Sequence, residues 1–209
     1  VPPKEYEPFS QDAVGIDVGL THFLTDSEGN KVENPRWYRK AQKKLRQQQR
    51  VISRRKKGSK RRQKAVKLAA KTSRKVARQR RDFHFKTANK YVKEYGAICI
   101  EKLKVANMVR NRKLAKSISD AGWSQFREII TFKAAEAGRI VIEVDPKYSS
   151  QDCSGCDNRV PKALWQRTHS CDQCGLVIDR DENSALVLLR RGLGQSLQAL
   201  TKVVAPCVV

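Results

Sequence analysis

The chain has 209 residues, with 44 Lys and Arg against 21 Asp and Glu, a net charge of +23 and a pI near 10.1. This length holds one good-sized core with an appendage rather than two full domains. No apolar stretch approaches the roughly 18 residues of a spanning helix, and the N-terminus V-P-P-K-E-Y-E-P-F-S lacks a signal-peptide pattern, which leaves a soluble, cytoplasmic protein whose excess charge calls for a nucleic-acid partner.

Residues 1–12 are polar and proline-rich, a leader or the stump of a linker. A-V-G-I-D-V-G-L from Ala13 reads as a buried strand and T-H-F-L-T-D from Thr21 as a second. S-E-G-N then supplies turn chemistry before a third short strand at Lys31–Val32, completing an antiparallel meander. From Arg36 to Arg81 there is no acidic residue, although the stretch holds about half of the chain's Lys and Arg. Trp37, Ala41, Leu45, Gln48 and Ile52 recur at helical spacing, and after a break at Gly58 and Ser59 so do Val66, Ala69, Ser73 and Val76. The expected structure is a hairpin of two long helices with a thin apolar seam. Its basic exterior suits contact with a phosphate backbone, which gives affinity and salt dependence rather than sequence choice.

Arg81 to Tyr95 continues as helix, with Phe83, Phe85 and Tyr91 available for the core, and Gly96 ends it. A-I-C-I-E at 97–101 is an apolar strand in which Cys99 serves as a small core residue. A polar loop follows at 102–113, and Trp123, Phe126, Ile130, Ala134 and Ala137 then mark an amphipathic helix stopped by Gly138. R-I-V-I-E-V is a further strand, and Glu182 to Arg191 forms the last helix, with a tail over 194–209 in which Cys207 has no evident partner. Meander, helix, strand, helix, strand, helix is α/β with a mixed sheet. The basic hairpin and a cysteine-rich segment are insertions into it.

Two Cys-x-x-Cys pairs, Cys153/Cys156 and Cys171/Cys174, supply the four thiolates of a closed tetrahedral zinc site. A full thiolate set leaves no open position, so the zinc is structural. His169 is then surplus to the ligands and reads as a surface residue. Arg159, Lys162, Trp165 and Arg167 decorate the loop between the pairs, where they could contact a nucleic-acid backbone.

Asp17 lies in an otherwise apolar strand, and burying a lone carboxylate costs several kcal/mol unless a cation or hydrogen bonds meet it. Taken singly, Asp17 could cap a turn and Glu101 could be the first exposed residue after its strand. With strand one beside strand four, however, the two would face each other across neighbouring parallel strands, and Asp181 at the start of the closing helix could complete the set. Two or three carboxylates suit Mg²⁺. Two such ions about 4 Å apart can activate a water and stabilise the leaving oxygen of a phosphodiester. Spacing alone does not decide between Asp179 and Asp181, either of which could be the ligand and the other a helix cap.

G-I-D-V-G at 15–19, I-E-K-L at 100–103, N-M-V-R-N and L-A-K-S-I-S-D-A-G-W-S within 107–124, Y-S-S-Q-D-C-S-G-C at 148–156, C-D-Q-C-G at 171–175 and D-R-D-E-N-S-A at 179–185 occur in that order. Together they resemble the nuclease half of the transposon-encoded TnpB (OrfB) family, relatives of the type V CRISPR effector nucleases. The resemblance implies an RNase H-like, RuvC-type core over residues 1–149, with the basic insertion at about 36–81. It further implies a zinc ribbon at 150–176, a closing RuvC segment at 177–193, and a tail. It also implies an RNA-guided DNA endonuclease of a prokaryotic cell, nucleoid-associated, using Mg²⁺ or Mn²⁺ for cutting and Zn²⁺ for structure. Guide RNA and DNA would be its partners, and guide pairing rather than side chains would read the sequence. The D-x-N-x-A pattern selects Asp181 over Asp179, so the implied catalytic and Mg²⁺-binding acids are Asp17, Glu101 and Asp181. Ser184 stands where the family usually has Ala, a change expected to be tolerated. Family members also carry a large N-terminal part that holds the guide and reads the flanking DNA motif, so a fragment or a truncated, non-cutting nucleic-acid binder is the alternative expectation.

Overall fold

The computed structural model describes residues 12–163 and 165–203, with side chains as far as Gly194. The expected leader up to residue 11, and Cys207, lie outside the described residues.

Strands β1 (Ala13–Val18), β2 (His22–Asp26) and β3 (Lys31–Glu33) form the meander. Helices α1 (Trp37–Ser53) and α2 (Lys60–Glu94) follow, then β4 (Ala97–Glu101), α3 (Val105–Met108), α4 (Ala115–Ala121), α5 (Trp123–Glu136) and β5 (Ile140–Val144). A two-stranded ribbon, β6 (Thr168–Ser170) with β7 (Val177–Asp179), precedes the closing helix α6 (Arg180–Val203). The main sheet has the order β3-β2-β1-β4-β5. β1 pairs antiparallel with β2 and parallel with β4, and β4 pairs parallel with β5, so the sheet is mixed.

Both faces of this sheet are covered, which is why its central strands read as unbroken apolar runs. Val14, Ile16, Ile98 and Ile100 point to one face, where they pack against Ala88 and Tyr91 of α2 and Phe126 and Ile130 of α5. The alternate residues Gly15, Asp17, Cys99 and Glu101 therefore share the opposite face. There α6 lies down, with Leu188 against Cys99 and Val144. Two glycines permit the close approach. A Cβ on Gly15 would stand 2.0 Å from the Ala185 carbonyl oxygen, and one on Gly192 would stand 2.3 Å from Cys99 Sγ. Gly15→Ala should therefore push α6 off the sheet. We expect it to cost about 3 kcal/mol in chemical denaturation, at the upper end of the range for overpacked cores.

Four expectations need correction. The seam of the hairpin is half as expected in α2: Ala69 and Val76 are buried, but Val66 and Ser73 are exposed and the half-buried Ala65 and Thr72 take their places. A polar contact, Gln48 Nε2 to Thr72 Oγ1 at 3.0 Å, sits in the middle of it. The polar loop at 102–113 contains the one-turn helix α3, and α4 precedes α5 as a separate helix. The last helix does not stop at Arg191. It runs to Val203, through most of the expected tail. The ribbon extends to Asp179, past the expected boundary at 176, because β7 pairs with β6 rather than with the main sheet.

Candidate active site and metal centre

The pairing Ile16↔Ile100 between β1 and β4 puts the next residues, Asp17 and Glu101, side by side at the ends of parallel strands. Parity turns both toward α6, whose first turn carries Asp181. Glu101 is 8% exposed and accepts a hydrogen bond from the Val18 N–H at 3.1 Å. Asp17 and Glu101 share a hydrogen bond. Burial holds the Asp17 carboxyl well above the ordinary carboxylate range. The nearby Glu101, and then the Asp181 charge, push it further, against the pull of the Ser184 hydroxyl. Glu101 is raised as well, burial outweighing the hydrogen bonds from Asp17 and Val18, with the Asp181 charge adding to it. Like charges crowded in a dry site retain a proton unless a cation takes its place.

Asp179 and Asp181 have separate jobs. Asp179 Oδ1 accepts the backbone N–H groups of Asp181 at 2.9 Å and Glu182 at 3.3 Å, and its Oδ2 meets Lys31 Nζ at 2.7 Å. Burial works against the Asp179 charge, but Lys31 and the two N–H groups outweigh it and hold the carboxyl below its usual value. Asp179 is thus a helix cap tied to β3. The Asp181 charge acts on both Asp17 and Glu101, and its carboxylate is flanked by Arg180 Nη2 at 3.0 Å and Arg167 Nη1 at 3.5 Å.

Sequence reading overlooked three contributors. Ser184 Oγ lies 3.1 Å from Asp17 Oδ1 and 3.0 Å from Ser149 Oγ, a buried hydroxyl pair that fixes the Asp17 carboxylate. Arg167, expected only as loop decoration, reaches both Asp181 and, at 3.1 Å, Thr21 Oγ1. Asn183 is fully buried. It accepts the Ser154 N–H at 3.0 Å and donates to the Asp152 carbonyl at 2.9 Å, which fastens the first cysteine knuckle to the turn bearing Asp181. Its place in the D-x-N-x-A pattern was the signal available in the sequence. Asn183→Ala should strip both bonds and leave a buried N–H and carbonyl unmet. We expect a loss of about 2–3 kcal/mol in thermal or urea unfolding.

Cys153, Cys156, Cys171 and Cys174 come together with all four sulfurs within 4.8 Å of one another. Among the described residues no other group of three or more Cys, His, Asp or Glu is so tight, so the three carboxylates stand further apart than the sulfurs. The N–H of Cys174 holds the Cys171 thiol down to about 6. The N–H of Asn158 pulls the Cys156 thiol down, but desolvation and hydrogen bonds with the three other thiols together push it up to about 12. A metal ion held by the four sulfurs would require all of them as thiolates. His169 is not on the surface. It is fully buried, with Lys162 Nζ against Nδ1 and with Nε2 lacking a hydrogen-bond partner. The three-residue β6 points its middle side chain inward. His169 stays outside the sulfur cluster, and burial, then the Lys162 charge, lowers its pKa. Arg159 pairs with Asp152 at 2.9 Å and stacks on Tyr148, while Trp165 is 79% exposed.

Comparison with known proteins agrees in kind. Residues 1–112 match the OrfB_IS605 family, described as "Probable transposase", and residues 123–188 match the family described as "Cas12f1-like, TNB domain". A "Putative RNA-guided DNA endonuclease" of Streptomyces pristinaespiralis is 39% identical over 90% of this chain and 47% of its own length. The "Putative RNA-guided DNA endonuclease InsQ" of Escherichia coli is 32% identical over 88% of this chain and 50% of its own. The chain thus spans about half the length of these curated relatives. The solved "Cas12f1-sgRNA-target DNA complex" contains a similar mixed α/β fold, with TM-score 0.58 and 18% identity, covering 84% of this chain and 49% of the other. Among the described residues no helix is long and apolar enough to cross a membrane.

Proposed function

Because this chain belongs to the OrfB_IS605 family of transposon-type proteins, we propose that it is the nuclease portion of an RNA-guided DNA endonuclease that hydrolyses DNA phosphodiesters. The observation that carries this reading is the convergence of Asp17, Glu101 and Asp181 at one end of β1, β4 and α6 in a chain of net charge +23. The sheet order β3-β2-β1-β4-β5 supports an RNase H-like, RuvC-type core. In this reading α1 and the outer part of α2 form a basic insertion, and the ribbon that ends at Asp179 is a second insertion. Guide RNA and DNA are the partners, in line with the names of the relatives.

The donor sets differ in chemistry, and so would their metals. Four thiolates with no open position suit structural Zn²⁺. Carboxylate oxygens in a buried, charge-crowded site suit Mg²⁺ or Mn²⁺. Held by Asp17, Glu101 and Asp181, a pair of such ions would supply Lewis-acid stabilisation of the attacking and leaving oxygens of the phosphodiester. The protein's own groups prepare that site. Ser184 and Ser149 keep Asp17 oriented, the Val18 N–H keeps Glu101 oriented, and Arg167 and Arg180 neutralise Asp181 until a divalent cation does so. The surrounding Lys and Arg offset the repulsion between a carboxylate cluster and a polyanion.

The test is cleavage of single-stranded DNA by the purified chain. Mg²⁺ or Mn²⁺ should support it and EDTA should stop it. A chain that binds DNA but leaves it intact with both metals would overturn the proposal in favour of a non-cutting relative.

A further inference from the structure

Beside the acid cluster lies a polar pocket of about 480 Å³ whose wall includes Thr21, Asn34, Arg36, Arg39, Ser117 and Asp120. Arg167 links its wall to the acids, its guanidinium spanning from Asp181 Oδ2 at 3.5 Å to Thr21 Oγ1 at 3.1 Å. Two guanidiniums enter the pocket, and neutral acceptors hold both in place: Arg36 Nη2 donates to the Leu20 carbonyl at 3.4 Å and Arg39 Nη2 to Ser117 Oγ at 3.3 Å. Neither forms an ion pair with a described carboxylate. The one carboxylate in the wall, Asp120, is 7% exposed, and its oxygens are engaged by the backbone N–H groups of Tyr38 at 2.9 and 3.0 Å and of Arg39 at 3.3 Å. Both arginines thus keep their charge and most of their five donors for something outside the protein.

Arg36 adds an independent sign. It holds φ 51°, ψ 48°, a left-handed conformation that disfavours every residue with a Cβ. Glycine or asparagine would sit there with less strain, and strain of this kind persists where the side chain is needed.

We propose that the Arg36–Arg39 pocket is a phosphodiester subsite, which seats a backbone phosphate of the nucleic-acid strand next to the one held at Asp17, Glu101 and Asp181. The inference rests on the nuclease reading for the second of these positions. Paired, prepositioned guanidiniums in a pocket lined by hydroxyl and amide groups match the charge and geometry of a phosphate. Here two cations line one pocket, each with a hydrogen bond to a neutral acceptor, and Arg167 links the pocket's wall to Asp181. The strand is either the DNA to be cut or an RNA lying along it, and the same phosphate chemistry serves both.

The test is fluorescence anisotropy of the full chain with a labelled single-stranded DNA and with an RNA of the same sequence, without divalent cation. Binding is then read whether or not the protein cuts, so failure of the nuclease reading does not imitate failure of the subsite. The double variant Arg36→Gln/Arg39→Gln should weaken binding about tenfold. It should also lower the log–log salt slope by about 1.4, the value for two lost single-strand contacts of about 0.7 each. Loss with DNA alone assigns the subsite to the substrate strand, loss with RNA alone to a guide strand, and loss with both to the shared backbone. A control pair on the outer hairpin, Arg61→Gln/Lys64→Gln, should weaken binding less than threefold. Arg36→Gly should keep or raise the melting temperature while weakening binding, which separates a ligand role from a structural one. Unchanged affinity in the double variant, an equal loss in the control pair, or a lower melting temperature for Arg36→Gly would overturn the proposal.

Discussion

Asp17→Ala should reduce cleavage of single-stranded DNA by at least about a hundredfold, the scale on which a lost transition-state charge stabiliser registers, and should leave the melting temperature unchanged or higher. The two halves of this expectation come from one fact. Asp17 is forced by strand parity onto the α6 face beside Glu101, where burial and a neighbouring acid make its charge unwelcome. A carboxylate placed there for stability alone would be a poor choice. Its removal takes away like-charge repulsion and desolvation cost, and the methyl group of Ala leaves the β1–β4 ladder intact. Two side-chain hydrogen bonds are lost, to Glu101 and to Ser184, and each of those groups keeps another partner, the Val18 N–H and Ser149 Oγ respectively. Cleavage that survives Asp17→Ala would remove the nuclease assignment. A collapse in stability would make Asp17 a structural residue.

Removal of zinc should have the second-largest effect, and on both stability and activity. The ribbon has few apolar contacts of its own, and binding energy at a four-thiolate knuckle is folding energy, about 10–16 kcal/mol in isolated zinc fingers. The knuckle is also fastened to the active helix. Asn183 bridges Ser154 and Asp152, Arg191 pairs with Asp152 at 2.6 Å, and Arg190 donates to the Ser154 carbonyl at 3.1 Å. Chelation, or Cys171→Ser, should therefore lower the melting temperature by at least about 10 °C, since even a few kcal/mol moves a domain of this size that far. Cleavage should fall with it as the first turn of α6, which carries Asp181, and the residue before β6, Arg167, loosen together. An unchanged melting temperature after complete chelation would contradict the structural role.

The same chain shows which features a sequence can carry. β1 and β4 were legible because both faces are covered, which leaves apolar runs broken only by the carboxylates. The hairpin was legible in outline, but only half of its α2 seam, Ala69 and Val76, was read correctly. In so basic a helix the apolar residues are sparse, and Ala65 and Thr72 fit the period as well as Val66 and Ser73 do. The last helix was read as ending at Arg191, yet α6 runs on through Gly192, where a Cβ would stand 2.3 Å from Cys99 Sγ. His169 was misplaced because a three-residue strand is too short for its alternation to be read. At the site, acids could be listed by spacing, but the division of labour between Asp179 and Asp181 required the helix start and Lys31 to be seen together. The Ser184–Asp17 contact joins residues 167 positions apart, and no local pattern announces it.

The most direct test of the account asks whether Asp17, Glu101 and Asp181 bind a divalent ion together. Titration of the zinc-loaded protein with Mn²⁺, followed by electron paramagnetic resonance, should reveal tight binding that is lost in Asp17→Asn and weakened at least about tenfold in Asp181→Asn, with both variants folded. Equal Mn²⁺ binding by the wild type and by both variants would mean that the three carboxylates do not share a metal site.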